Sequence, residues 1–165
     1  MRVLPDGLTG AIMAVEGIAD ATVLLHGPGG CRVRHMVVSD AVFHRDVDFG
    51  DSPYYCGYSQ VPATYLDEYD YINGAACKAE EALMDIGRTS PRLVVVIESP
   101  GASLIGDDLH SAIADNGMAG TTFVMTDPLS SVPVTRAIDR TLKSVMDFID
   151  PPPRQTKKGT VNILG

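Results

Sequence analysis

The sequence predicts an α/β fold: an open, mostly parallel Rossmann-like sheet flanked by helices. Three observations carry this. Short runs rich in β-formers alternate with segments of helical apolar spacing, the pattern of a parallel sheet with right-handed crossovers. Leu93-Val94-Val95-Val96-Ile97 is continuously apolar, as a parallel strand covered on both faces must be. Ala21 to Leu25 runs into His26-Gly27-Pro28-Gly29-Gly30, a Gly-rich turn at the strand end where open parallel sheets bind ligands.

The elements follow in order. Leu8, Ala11, Ile12, Val15 and Ile18 are spaced for a helix over 7–18. Asp6 is its N-cap and Glu16-Gly17 its exit. After the strand 21–25, a helix is predicted over 32–43, a loop over 46–53 and a short strand over 54–58, ended by Gln60-Val61-Pro62. Tyr69 to Ile72 reads as a strand turning at Asn73-Gly74. Ala79, Ala82, Leu83 and Ile86 mark one face of a helix over 77–86. Beyond the strand 93–97, a helix is predicted over 106–115, a strand over 121–125 and a helix over 135–149 opened by Pro133. A last strand is read at 160–164. Residues 1–150 therefore form one Rossmann-like domain, and 151–165 a linker with the first strand of a following domain.

Composition narrows the function. The chain has 165 residues, 45% of them hydrophobic, which suits one globular domain with a real core. Its net charge of −8, with no basic stripe, speaks against nucleic acid as a partner. Arg154, Lys157 and Lys158 beside Pro151-Pro152-Pro153 read as a solvated linker. No apolar run approaches the roughly 20 residues that span a bilayer, and the start lacks a signal-peptide pattern. A cytoplasmic, non-membrane protein is expected. Cys31, Cys56 and Cys77 are odd in number and widely spaced, so they read as thiols or metal ligands and not as a disulfide frame.

Three strand ends carry unusual chemistry, at 26–31, 73–77 and 98–108, and a doubly wound sheet brings such ends to one edge. Gly29 and Gly30 would let the backbone approach a bulky ligand. Cys31 would open a helix, where the macrodipole favours the thiolate. The alternative is a small buried hydrophobe beside a plain turn. The turn has neither dinucleotide nor P-loop spacing. The cysteines and histidines lack zinc spacing. A hydrolase using Cys31 with His26 or His35 lacks a third partner at a telling distance. Cys77 reads as packed, Asp107 and Asp108 as helix-start charges or interface contacts, and the tyrosines between Tyr54 and Tyr71 as packing or an interface patch.

In order along the chain, several segments resemble the nitrogenase component one family. His26-Gly27-Pro28-Gly29-Gly30-Cys31 resembles its cluster-binding segment. Leu8-Thr9-Gly10-Ala11 through Gly17-Ile18 resembles its opening helix. Glu68 to Gly74 with Lys78 and Leu83 resembles its acidic segment, and Leu104-Ile105-Gly106-Asp107-Asp108-Leu109 its third signature. Val161-Asn162-Ile163 resembles the start of the family's next domain.

The resemblance implies that three cysteines per subunit hold an iron–sulfur cluster, with 4Fe-4S a candidate type, at a subunit interface. Only Cys31 is retained. The first position falls at Asp6, whose carboxylate can bind iron but also reads as an N-cap. The third falls at Ser99 or Pro100, where an alkoxide ligand and a turn residue are the two readings. Cys56 is a candidate substitute ligand; His26, Gly29, Gly30 and Ser99 are candidate cofactor contacts. The implied protein is a homo- or hetero-dimer with a related subunit. It would take electrons from an ATP-dependent iron–sulfur reductase through a cluster near Cys31 to a substrate other than dinitrogen. The alternatives are a non-catalytic scaffold, partner subunit or metallocofactor carrier, and a flavodoxin-like small-molecule binder.

Overall fold

The computed structural model describes residues 4–42, 61–115, 122–126 and 131–148. Three parallel strands lie side by side in the order β1 (Ala21–His26), β2 (Leu93–Glu98), β3 (Thr122–Thr126). Their register runs from Ala21↔Leu93 to His26↔Glu98, and from Leu93↔Thr122 to Ile97↔Thr126. All three strands therefore end on one edge.

Alternation along the strands sorts side chains to two faces. Val23, Leu25, Val95 and Ile97 pack with Leu8, Ile12 and Val15 of α1 (Gly7–Glu16) and with Ala137 and Val145 of a C-terminal helix, Val134–Phe148. Leu24, Val94 and Val96 pack on the other face, against Ala79, Leu83 and Ile86 of a helix at Ala76–Gly87 and Leu109 of a helix at Leu109–Asp115. Numbered in chain order, the helices are α1, α2 (Gly29–Val42), α3 (Asp70–Asn73), α4 (Ala76–Gly87), α5 (Leu109–Asp115) and α6 (Val134–Phe148). Cover on both faces explains why β2 is apolar without alternation. No described helix is long and apolar enough to cross a membrane.

Most predicted elements stand within a few residues of their expected places. Four differences have physical causes. First, α2 begins at Gly29, so Gly29, Gly30 and Cys31 form its first turn and not a turn ahead of it; the Cys31 N–H donates to Pro28 O at 3.0 Å. Second, residues 61–66 run beside β1. Leu25 N–H donates to Pro62 O at 2.8 Å, and Thr64 N–H to Leu25 O at 3.1 Å.

Third, Tyr69 to Ile72 lies in a helical turn, not a strand. The Asp67 carboxylate accepts the N–H groups of Tyr69 and Asp70 at 2.9 and 3.2 Å, and Gly74 ends the turn at φ +88°. Fourth, α5 starts at Leu109 and not at 106. Gly106 has φ +77°, which no α-helix admits, and the Asp108 carboxylate caps the helix by accepting Ser111 N–H at 3.0 Å. A 3-10 turn fills Ala102–Leu104. The readings at 46–53, 54–58 and 151–165 lie outside the described residues.

α1 and α6 touch through glycine. A Cβ on Gly10 would lie 2.7 Å from the Val134 backbone oxygen, which cannot move aside as a flexible side chain could. Gly10→Ala should therefore destabilise the fold by about 1–3 kcal/mol, although alanine is the better helix former. A urea melt checks this; an unchanged midpoint would show that the two helices part at no cost.

Candidate functional site

The strand-end edge is assembled from three segments: the end of β1 into α2, residues 64–78, and the end of β2 into α5. Their common contact is the Asp107 carboxylate. It accepts the Ala75 N–H at 3.0 and 3.1 Å on its two oxygens and lies 3.2 Å from His26 Nε2. His26 is fully buried and the Asp107 side chain is 7% exposed. With a carboxylate at Nε2, that nitrogen carries the hydrogen and donates. Among the described residues, the buried Nδ1 atom of His26 has no hydrogen-bond partner.

Gly74 allows the close approach, since a Cβ there would lie 3.1 Å from Asp107 Oδ1. Burial holds the His26 imidazole below its usual 6.5, while the bond and charge of Asp107 and the charge of Asp70 oppose it. Glu98, beside His26 in the register, is pushed above 4.5 by burial and by the Asp107 charge, with His110 opposing.

Ser99 is buried and internally bonded. Its N–H donates to His26 O at 2.9 Å, and its Oγ accepts Ala102 N–H at 3.2 Å. A Cβ on Gly27 would meet that Oγ at 2.7 Å. The turn reading of Ser99 is thus the one the contacts support.

Cys31 is half-buried and packs against the α1 side of the core. The macrodipole expected to favour the thiolate meets opposing influences. Burial pushes the thiol up, the Asp6 charge pushes the same way, and Arg34 opposes. Asp6 is the N-cap of α1: Oδ1 accepts the Thr9 N–H at 2.9 Å and its hydroxyl at 3.0 Å, while Arg34 stands 3.3 Å from Oδ2. The Asp6 charge reaches the Cys31 thiol, but the Asp6 carboxylate is already bonded within α1 and to Arg34.

The glycines differ. At Gly29 the Tyr65 ring lies 3.1 Å from where a Cβ would be, so a side chain approaches it; Gly30 faces open space. Cys56 lies outside the described residues. Cys77, read as packed, is exposed on the first turn of α4. Asp108 caps α5 as a helix-start charge, whereas Asp107 turns inward. Two features escaped the sequence reading. One is the Asp107–His26 contact across 81 positions. The other is Lys78, which sits 2.5 Å from buried Asp70 and 3.2 Å from Asp67. Among the described residues, no group of three His, Cys, Asp or Glu could hold a metal ion.

Together these features define a doubly covered Rossmann-like α/β domain whose candidate site lies at the carboxyl edge of its parallel strands. The chain belongs to the nitrogenase component 1 type oxidoreductase family, whose model matches residues 7–165. It is 26% identical over 121 residues to component CfbD of the Ni-sirohydrochlorin a,c-diamide reductive cyclase complex of Methanothermobacter thermautotrophicus. That match covers 72% of this chain and 29% of the relative, so the chain spans under a third of it. Two structures of nitrogenase Cp1 share the fold. One, at pH 6.5, has a TM-score of 0.70 and 17% identity, covering 88% of this chain and 31% of that one. The other, at pH 5, has a TM-score of 0.67 and 19% identity, covering 96% and 34%.

Two outcomes follow. In a Cys56→Ser background, Cys77 should react with a thiol reagent at neutral pH well before Cys31, and Asp6→Asn should speed Cys31. Faster labelling of Cys31 than of Cys77 would contradict the burial argument. His26, its folded pKa lowered, takes up a proton more readily in the unfolded chain. Its contribution to stability is full above about pH 6.5 and is lost as pH falls through the folded value; Glu98, raised, acts in the opposite sense. An NMR titration of the His26 ring should show a midpoint below 6.5, and one at or above it would refute this.

Proposed function

We propose that this chain is part of a nitrogenase-like oxidoreductase component in which Cys31 is the point of attachment for an iron–sulfur cluster. The observation that carries the reading is a half-buried thiol at the strand-end edge, within reach of the Asp6 charge, in a chain of this family. The fit is partial. Cys31 and Asp6 do not complete a ligand set, and the Ser99 hydroxyl is bonded within its own turn. A 4Fe-4S type would draw further ligands from Cys56 or from a related subunit of a homo- or hetero-dimer. When bound, a cluster stores and passes electrons at a potential tuned by thiolates and hydrogen bonds.

The donor in this reading is an ATP-dependent iron–sulfur reductase in the cytoplasm, and residues 151–165 lead into a further domain. The relative's name, a component of a reductive cyclase complex, supports a reductive role within an assembly. Asp6, and Ser99 or Pro100, read at two family cysteine positions, support a substrate other than dinitrogen. The chain's own residues do the holding. Asp107 locks the three strand-end segments together, and Arg34 and Thr9 keep Asp6 against α1 and α2.

The second reading, a non-catalytic scaffold, partner subunit or cofactor carrier, is favoured by one observation: Asp6 and Ser99 both make structural bonds. Anaerobic purification with iron and acid-labile sulfide analysis separates the two. Stoichiometric iron that is lost in Cys31→Ala, with the circular dichroism spectrum unchanged, is the expected result. Colourless, iron-free protein from an anaerobic preparation would leave the scaffold reading standing.

A further inference from the structure

A cavity of about 590 Å³ opens between α4 and the segment 61–65, along the outer side of β1. Ala21 and Thr22 at the start of β1 line it, as does Ala63, which pairs beside Leu25. Its walls are mostly apolar, with Val61, Pro62, Ala82 and Ile86 among them.

One cation lines it. Arg32 reaches in from the first turns of α2, its Nε donating to Val61 O at 2.8 Å and its Nη1 to the Tyr65 hydroxyl at 2.8 Å. The guanidinium carbon stands 5.9 Å from the centre of the Tyr65 ring, and its two hydrogen bonds hold the plane of the fork. The second N–H of Nη1 and both of Nη2 stay available. Among the described residues no carboxylate pairs with Arg32, although the chain carries a net charge of −8. Asp85 also lines the cavity, but it faces Arg88 at 3.0 Å.

Tyr65 holds its place at a cost. Its φ is +52°, a left-handed conformation that a bulky residue adopts only when surroundings impose it. Its ring lies against Gly29 and its hydroxyl accepts from Arg32, while the residue as a whole is 54% exposed at the cavity rim.

We propose that this cavity binds an organic anion: an apolar body against Val61, Pro62, Ala82 and Ile86 with one carboxylate on Arg32. A planar fork matches a carboxylate through paired N–H bonds. A dianion fits less well, because Asp85 lines the same cavity and Glu81 the adjoining one of about 300 Å³. Lys78 in that neighbour is held by Asp67 and Asp70. Binding here does not require a cluster at Cys31, the residue before Arg32.

Decanoate is the probe, with decanol as its uncharged match and inorganic phosphate as the bare anion. Calorimetry on the full chain should give saturable decanoate binding. Decanol should bind about ten-fold more weakly, the discrimination expected of one charge-assisted hydrogen-bonded contact, and phosphate should not compete. Arg32→Gln should bring acid and alcohol to equal affinity. Because Arg32 also ties down 61–65, Ala82→Phe serves as a second variant. It leaves the guanidinium in place, fills the body of the cavity, and should abolish binding of both. Equal affinity for decanoate and decanol in the unsubstituted chain, no binding of either, or decanoate binding unchanged in Ala82→Phe would each overturn the proposal.

Discussion

The buried carboxylate of Asp107 is the constraint around which the strand-end edge is arranged. A charge this deep must be met by hydrogen-bond donors, because an unpaired one costs several kcal/mol. The donors are Ala75 N–H and the His26 ring, drawn from two other segments. To bring Ala75 close, the chain must pass through Gly74 at φ +88°; to bring Asp107 inward it must pass through Gly106 at φ +77°. Both angles are cheap only for glycine. One carboxylate thus fixes the path of two loops and the end of β1.

Strand parity then separates this node from the thiol. His26 shares its face with Leu24, on the α4 and α5 side, while Cys31 packs with the cluster of α1 and α6. The histidine and the cysteine of one hexapeptide therefore act on opposite sides of the sheet edge. The histidine braces the loops that follow β2. The cysteine sits against α1, where Asp6 and Arg34 set its electrostatics.

The fold was largely legible because burial writes a period into the chain. The apolar run of β2 and the spacing of Leu8, Ile12 and Val15 could hardly be read otherwise. Tyr69 to Ile72 misled because aromatic and β-branched residues suit strands. Two aspartates supplied local bonds that outweighed that preference: Asp67 accepts from Tyr69 and Asp70, and Asp70 accepts from Asp67 N–H at 2.8 Å. The site was legible only in part. Asp6 announced itself as a cap, since its partner Thr9 is three residues away. Asp107 did not, because its partners at 26 and 75 are defined by topology alone. The expected thiolate at Cys31 meets opposition of a related kind: a helix-end field can be read from position, whereas burial and a carboxylate brought from α1 cannot.

The residues proposed at two family cysteine positions are not blank. Asp6 supplies the first helix with its cap, and Ser99 gives Ala102 N–H an acceptor while its Oγ fills the space above Gly27. A sulfur at position 99 would be larger and a poorer acceptor, placed where a Cβ on Gly27 is already excluded at 2.7 Å. A cysteine there would therefore weaken the turn that begins the path to Asp107. The local chemistry at 6 and 99 is matched to holding the edge shut, and at Cys31 the same edge keeps its one half-buried sulfur. A cluster proposed at Cys31 must be completed from beyond these neighbours, which makes the surroundings of Cys31 the decisive place to look for the function of the chain.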